Sequence, residues 1–345
     1  MIKRNKTITK IMVLAVCASM LACTGVFAAD TNLNNPTTNT EISDSVKTAQ
    51  SGYYKFDPST GDILDYSKDP FNVYRDNYYN FDPSTGTISD FNIVNSPKVV
   101  VPDNVLGVTV TSIGDKSFDN YYIHKCLKEV ELPDTITSIG KYAFGSCENL
   151  KSIIIPDGVK EIGESAFSRC SRLESIKLPD SLENINNEAF MHCYNLKDIN
   201  IPDGVKEISD SAFYNCNSIN KISLPDSLEN IGHLAFYGCY NLTEISLSDS
   251  LETIGYQAFW NCSKLTNISL PKSLTKISNQ TFKDCSSLSS ITIYGDISSI
   301  GSDAFNGIDS HAVFNVYSEQ TKNLLTNEFD LRNYKINYIS EDSNL

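Results

Sequence analysis

Seven cysteines spaced 23 residues apart are the first feature of the sequence that could carry chemistry. They are Cys147, Cys170, Cys193, Cys216, Cys239, Cys262 and Cys285. If each 23-residue unit is one coil of a stack, neighbouring Cα atoms lie about 4.8 Å apart, within reach of a disulfide. Side chains at equivalent positions of stacked coils point in the same direction, however, which is a poor geometry for a disulfide. We predict that these cysteines and Cys126 are free buried thiols, with bridges between coils as the alternative.

Metal binding and catalysis find little support in the sequence. A single row of cysteines offers no tetrahedral ligand set, and no Cys-x-x-Cys pair occurs, so we predict neither a metal site nor a cofactor. The histidines occupy unrelated positions and no nucleophile or phosphate-binding motif is present. Glu129 and Glu131 could be a glycosidase pair, but outward acids on a strand are usually solvated. We predict no catalytic residues.

A row of large side chains follows four consecutive repeat phenylalanines. The row consists of Met191, Tyr214, Tyr237 and Trp260, and Tyr240 lies nearby. Other repeats carry Gly, Ser, Lys or Asn at the same position, so the sequence predicts that the position is exposed. Exposed aromatic residues can anchor a protein interface or stack on a sugar ring. The row is therefore either a ligand-binding surface or a shield over the flank of the protein.

The element that must position both rows is a 23-residue repeat. Phenylalanine recurs at this spacing from Phe144 to Phe305, and Phe118 precedes the series by 26 residues. Leu150-x-x-Ile153-x-Ile155 predicts one strand that ends at Pro156, while Ala166-Phe167-x-x-Cys170 predicts a helical or 3₁₀ turn. So short a unit cannot bury an apolar face alone. The repeat therefore predicts one solenoid of about nine coils over 98–307, with one parallel sheet.

The segments outside the repeat have distinct patterns. Residues 1–28 resemble a signal peptide cleaved after Ala28, with lipidation at Cys23 as the alternative. Residues 29–50 have the composition of a flexible linker. Residues 51–97 hold a duplicated Tyr-Tyr-x-Phe-Asp-Pro-Ser-Thr-Gly sequence, predicting two hairpins whose Asp57 and Asp82 start turns rather than bind calcium. Residues 308–345 predict a strand, helix and strand that cap the solenoid.

The charge and the hydropathy pattern limit which kinds of partner the protein can bind. The net charge is −14, which repels nucleic acid. No long apolar run follows the leader, so we predict no transmembrane anchor after signal cleavage.

The repeat phrase Leu-x-x-Ile-x-Leu-Pro-x-x-Val-x-x-Ile-Gly-x-x-Ala-Phe-x-x-Cys resembles the BspA-type leucine-rich repeat family. The resemblance covers residues 98–307 and implies an α/β repeat solenoid, a right-handed horseshoe with a parallel β-sheet on its concave face. It also implies secreted or surface-exposed bacterial adhesins without catalytic residues. We therefore predict an exported, monomeric protein that binds a protein or carbohydrate ligand on a cell surface or matrix. The alternatives are a self-assembling structural component and, from a third class, an enzyme.

Overall fold

The protein is described by a computed structural model that covers five stretches of the chain. These are residues 49–68, 77–93, 96–197, 199–327 and 333–340. The expected signal peptide 1–28, with Cys23, lies outside the described residues, as does the expected linker 29–50 except for its last two residues.

The first sheet is formed by the strand that the repeat predicts in each coil. Its strands pair in parallel, and Ile153, for example, lies beside Ile176 of the next coil. The strands are Lys98–Val100, Glu129–Glu131, Ser152–Ile154, Ser175–Lys177, Lys221–Ser223, Glu244–Ser246, Asn267–Leu270, Ser290–Ile293, Val313–Val316 and Lys335–Tyr338. In the coil of Ile199 the described residues contribute only a bridge from Asn200 to Ser223. The central isoleucines are buried while their neighbours point outward.

A second parallel sheet, which the sequence did not predict, follows the first one in every coil. Its two-residue strands also pair coil to coil, as in Ile162 beside Ile185. They are Ser112–Ile113, Ser138–Ile139, Glu161–Ile162, Asn184–Ile185, Glu207–Ile208, Asn230–Ile231, Thr253–Ile254, Lys276–Ile277 and Ser299–Ile300. Each strand contains one apolar residue, which is too little to show the alternation that marks a strand.

The third side of each coil consists of two tight turns where the sequence predicted a helical or 3₁₀ turn. In one coil Ser165 and Arg169 have φ of 54° and 63°, and the same two positions have positive φ from the coil of Phe144 to that of Phe305. Ala166 N–H donates to Gly163 O and Cys170 N–H to Phe167 O, at 3.1 Å each. Left-handed residues interrupt a helix after each turn. Within the described residues, helices are confined to Tyr121–Cys126 and Glu319–Asn327.

These turns also bind the next coil. The N–H groups of Ser165, Phe167 and Arg169 donate to carbonyls one coil further on, at 2.9, 2.9 and 2.7 Å. All three sides of a coil are thus hydrogen-bonded to the neighbouring coil.

The core is a ladder of stacked phenylalanine rings. Phe144 and Phe167 have ring centroids 5.1 Å apart and an angle of 6° between planes, and Phe259 and Phe282 are 5.5 Å apart. The predicted burial of the Phe and Cys rows is confirmed, since every ladder cysteine is fully buried and the phenylalanines are 0–4% exposed. The stack begins one coil earlier than predicted, because Phe91 stacks on Phe118 at 4.3 Å.

The small residues at the corner after the second sheet are required by the close approach of the coils. A Cβ atom on Gly163 would lie 2.6 Å from the Gly140 carbonyl carbon, and one on Gly255 would lie 2.5 Å from that of Gly232. At two corners that carry a side chain, that side chain bonds to the previous coil: Asn186 Nδ2 donates to Ile162 O at 2.9 Å, and Ser278 Oγ donates to Ile254 O at 2.6 Å.

The N-terminal hairpins continue the second sheet rather than stand apart from it. Strand Gly52–Phe56 pairs with Ile63–Ser67 and Tyr78–Asp82, and Thr87–Asn92 joins the solenoid by pairing Ile88 with Ile113. A small hairpin, Asn104–Val105 with Val108–Thr109, follows. The Asp57 carboxylate accepts from Ser59 N and Oγ at 2.8 and 2.6 Å, which confirms its role as a turn acceptor. The same bonds to serine lower the carboxyl pKa of Asp57.

The C-terminal end has the predicted order of strand, helix and strand. Val313–Val316 and Lys335–Tyr338 extend the first sheet, and the helix Glu319–Asn327 lies between them in sequence. Ser318 Oγ accepts from Thr321 N–H at 3.3 Å, as expected of a residue that caps the helix N-terminus.

The left-handed turn positions yield a stability prediction. Arg169 is exposed with φ of 63°, and Gly238 and Gly307 occupy the equivalent position in other coils. We expect Arg169→Gly to raise the free energy of unfolding by about 0.5–1 kcal/mol, because glycine adopts this conformation without strain. Urea unfolding measures the change.

Arg172→Gly is the matched control. Arg172 is also exposed but is absent from the residues with positive φ. The control should lower stability slightly, since glycine only adds freedom to the unfolded chain there. Equal effects of the two changes would contradict the strain argument.

Candidate functional site

The cysteine ladder is held by hydrogen bonds to the phenylalanine row. Cys170 Sγ lies 3.1 Å from Phe144 O, and Cys216 Sγ lies 3.1 Å from Phe190 O. The same bond recurs for Cys193, Cys239, Cys262 and Cys285 at 3.1–3.3 Å. Each thiol therefore supplies a donor to a carbonyl in the preceding coil, which explains a small polarisable residue at this position.

The ladder thiols are free, as predicted, and their burial makes them poorly reactive. Burial raises the pKa of the Cys170 and Cys239 thiols to about 12, against a weaker opposing effect of a backbone hydrogen bond. A thiol that stays protonated is a poor nucleophile and metal ligand. In the part of the chain that the structure describes, no group of three His, Cys, Asp or Glu side chains could hold a metal ion.

The expectation of a free buried thiol is wrong for Cys126, which is disulfide-bonded. Cys126 ends the helix Tyr121–Cys126 and is half-buried, whereas the ladder cysteines are enclosed on all sides. The Cys126 sulfur is therefore accessible for disulfide formation, whereas the sulfurs of the ladder are not.

The row of large side chains forms a continuous stack along one flank. Tyr214 and Tyr237 are parallel, with centroids 4.6 Å apart and 3° between planes. Trp260 meets Tyr237 edge-on at 5.4 Å and 68°. All three rings are half-buried, and burial is the main cause of a raised Tyr237 pKa. Met191, also half-buried, occupies the preceding coil. The sequence prediction that this position is exposed is therefore correct only in part.

Both ends of the stack are closed by residues that the sequence argument missed. The His192 ring meets Tyr214 edge-on at 5.4 Å, and Lys283 Nζ lies 5.1 Å from the centre of the Trp260 ring. Trp260 Nε1 donates to Asp284 Oδ2 at 2.9 Å. His192 and Asp284 hold the second position after the repeat phenylalanine, one residue beyond the row that the sequence singled out.

Two tyrosines outside the stack are the most exposed rings on this flank. Tyr194 and Tyr240 follow their phenylalanines by four residues and are 41% and 39% exposed. Tyr194 Oη and His192 Nδ1 are 3.1 Å apart, which ties Tyr194 to the end of the stack. Tyr237 and Tyr240 are close enough to interact electrostatically. We call Met191, Tyr194, Tyr214, Tyr237, Tyr240 and Trp260 the aromatic flank.

The outward face of the first sheet carries one groove with an apolar side chain. It measures about 690 Å³ and lies where the described strands are interrupted, with Ser152, Ile154, Lys177, Asn200 and Lys221 among its lining. Ile154 is 65% exposed and replaces the polar residues found at this position in other coils. Lys221 is paired with Glu244 at 2.6 Å. A single exposed isoleucine is ordinary on a protein surface.

These features define a class of protein: a β-solenoid of short coils with little helix and an aromatic flank. The model of the BspA type Leucine rich repeat region matches residues 95–220 and 206–332, in six copies. Because these matches cover more than half of the chain, the protein belongs to this family of bacterial leucine-rich repeat surface proteins. None of the described helices is long and apolar enough to cross a membrane.

Solved leucine-rich repeat structures resemble the chain more distantly. A leucine rich cell surface protein from Faecalibacterium prausnitzii is 20% identical, covers 71% of this chain and 94% of its own, and has a TM-score of 0.36. The T. pallidum Leucine Rich Repeat protein is 24% identical, with 70% and 89% covered and a TM-score of 0.39. The pneumococcal vaccine antigen PcpA is 21% identical, with 70% and 78% covered and a TM-score of 0.35. Curated proteins gave no match. The family assignment rests on the repeat model alone.

The ladder yields a redox prediction. Unfolding non-reduced protein in denaturant should expose seven additional reactive thiols, because seven free cysteines are fully buried in the fold. The count is the difference between denatured and native protein, so Cys126 does not affect it. An aromatic disulfide reagent measures both values. An increment near zero, with the protein fully unfolded, would mean that the ladder is oxidised.

Proposed function

We propose that this protein is a non-catalytic binding protein, exported to the bacterial surface, that recognises a protein partner through the aromatic flank. The observation that supports the proposal most directly is a run of four large side chains at one position of four consecutive coils, where the other coils carry Gly, Ser, Lys or Asn, with Tyr194 and Tyr240 beside the run. The fold tolerates small or charged residues at this position, so packing alone does not explain the cluster.

The stacking favours a protein over a carbohydrate at this flank. A sugar binds an aromatic ring by laying its C–H groups on an open ring face. Tyr214 and Tyr237 cover each other, while His192 and Lys283 cover the two ends of the stack. The rings therefore present mainly edges, which suit the side chains and backbone of a protein surface.

Tyr194 and Tyr240 are the expected contact residues, and the stack beneath them is their support. Tyrosine is enriched among the residues that dominate binding energy because it offers a large, stiff, amphipathic surface. Tyr194 is held by His192, whose ring centroid lies 5.4 Å from its own, and such ordering before binding lowers the entropic cost of binding.

Two sets of substitutions separate binding from support. We expect the double change Tyr194→Ser and Tyr240→Ser to weaken partner binding at least tenfold while each change costs no more than about 0.5 kcal/mol of stability, because both rings are exposed. Tyr237→Ser should cost about 2 kcal/mol or more, since it opens the centre of the stack. Surface plasmon resonance against a panel of purified matrix proteins, with thermal unfolding of each variant, measures both quantities.

The results decide between the candidate roles. Unchanged affinity of a well-folded double variant would exclude the flank as the contact surface. If the protein binds no panel member but its mass in light scattering rises with concentration, and the double variant abolishes that rise, the flank is a self-assembly surface. That outcome would replace recognition by the structural role.

A further inference from the structure

A second candidate site lies at the corner between the second sheet and the turns, and it shares no residue with the aromatic flank. The corner is a groove of about 540 Å³. Its lining includes His233, Tyr256, Lys276, Asn279, Ser299 and Ser302. All six residues are exposed, and they come from four successive coils.

The equivalent corner in earlier coils shows what this groove lacks. There a groove of about 460 Å³ is lined by Lys141, Glu161, Glu164 and Asn187 among others. Lys141 Nζ is paired with a Glu164 carboxylate oxygen at 2.6 Å, so the lysine of that corner has an ion-pair partner. It contains no aromatic side chain. The two grooves share a backbone frame and differ in their chemistry.

Charge distinguishes the later groove from the rest of the protein. No acidic residue lines it, although the chain carries a net charge of −14. Lys276 stands in a sheet position where earlier coils have Glu161 and Glu207. Among the described residues, no carboxylate lies within 4.0 Å of Lys276 Nζ. The groove is therefore a local cationic site on an acidic surface, and its ammonium group has no ion-pair partner within the described fold.

The aromatic residue of the groove differs from those of the flank. Tyr256 is 39% exposed, and its one described ring contact is with His233, at 6.5 Å and 66°. The Tyr256 backbone N–H donates to His233 Nδ1 at 2.8 Å, which orients the His233 imidazole in the groove. Unlike Tyr214 and Tyr237, Tyr256 has no parallel ring stacked on it within the described fold.

Polar groups of the groove have hydrogen-bond donors that are available to a ligand. Because His233 Nδ1 accepts a hydrogen bond, its proton resides on Nε2, which can donate. Asn279 Oδ1 accepts from Ser302 N–H at 3.0 Å, which leaves the amide NH₂ group to donate. An open ring, amide and hydroxyl donors and one unpaired cation are therefore gathered in one groove.

We propose that this corner groove binds a carboxylate-bearing sugar of a surface or matrix glycan. The sugar's C–H face would lie on Tyr256, its carboxylate would pair with Lys276, and its hydroxyl groups would bond to Asn279 and the serines. A charged ligand fits better than a neutral one, because the ammonium group lacks a partner and no lining acid would repel an anion. The site is independent of the aromatic flank, so an experiment can disprove one of the two proposals without affecting the other.

Calorimetry on the purified full chain tests the proposal with defined sugars. The acidic probes are trigalacturonate, trimannuronate and sialyllactose, and the neutral probes are cellotriose and lactose. We expect saturable binding of at least one acidic probe, weakened by added salt, and at least tenfold weaker binding of its neutral counterpart. Tyr256→Ala and Lys276→Gln should each lower the affinity about tenfold, the factor expected for loss of one surface contact. Neither should shift the thermal midpoint appreciably.

Two control variants locate the site. Lys141→Gln changes the lysine of the counterpart groove, and Tyr240→Ser changes an equally exposed ring of the aromatic flank; both should leave affinity within twofold. The proposal is overturned if no acidic probe binds at millimolar concentration, or if Lys276→Gln binds as tightly as the natural chain. It is also overturned if neutral and acidic probes bind equally, or if Tyr240→Ser removes binding.

Discussion

Each residue of a coil lies next to its equivalent in the following coil, at the spacing of hydrogen-bonded backbones. Hydrogen bonds on all three sides of the coil hold that register. Phe167 N–H donates to Ala189 O in the turns, and strand pairs such as Ile153 with Ile176 and Ile162 with Ile185 keep the same offset. A side chain is therefore selected mainly for how it packs on its own equivalent. Flat rings stack, as the phenylalanines do, and a thiol reaches the carbonyl of the coil before it.

The same register constrains charge. Like charges at equivalent positions would be held close together, and from Lys160 to Glu229 opposite charges alternate at one position, although Glu252 follows Glu229. Lys160 pairs with Glu183 at 3.1 Å, and Lys206 with Glu229 at 3.6 Å. Along these coils the alternation has a period of 46 residues, twice the repeat, since Lys206 follows Lys160 and Glu229 follows Glu183 at that distance. Each exposed pair contributes at most about 1 kcal/mol, so its main effect is to avoid repulsion within the stack.

The sequence is informative where the register selects a residue type and uninformative where only the backbone matters. The buried Phe and Cys rows could be predicted because their identities repeat. The second sheet could not, because a strand such as Glu161–Ile162 shows one apolar residue. The left-handed turns were hidden because Ser165, Glu188 and Leu234 share no chemical feature that favours positive φ. Phe91 escaped notice because it precedes Phe118 by 27 residues rather than 23 and lies in the segment of the duplicated hairpins.

For the aromatic flank, the sequence predicted that the rings lie on neighbouring coils, but it did not predict how their faces are oriented. Whether a ring is open depends on the angle it adopts toward its neighbours, which spacing does not determine. Tyr214 and Tyr237 are parallel, whereas Trp260 turns its edge and bonds to Asp284. Of the residues that close the stack, Lys283 stands in the row itself, whereas His192 and Asp284 come from an adjacent position that carries no aromatic pattern.

The thiol ladder has a consequence for the lifetime of the protein in any oxidising medium. In the closed stack each sulfur is fully buried and sealed from oxidants. A coil that opens by heat or mechanical force exposes a thiol whose oxidised forms are larger and more polar than the space it left. Such a coil could not close again in its old register, so a transient opening would become permanent damage. Durability would then be set by the rate at which the first coil opens, and reducing conditions would lengthen it without changing the folded structure.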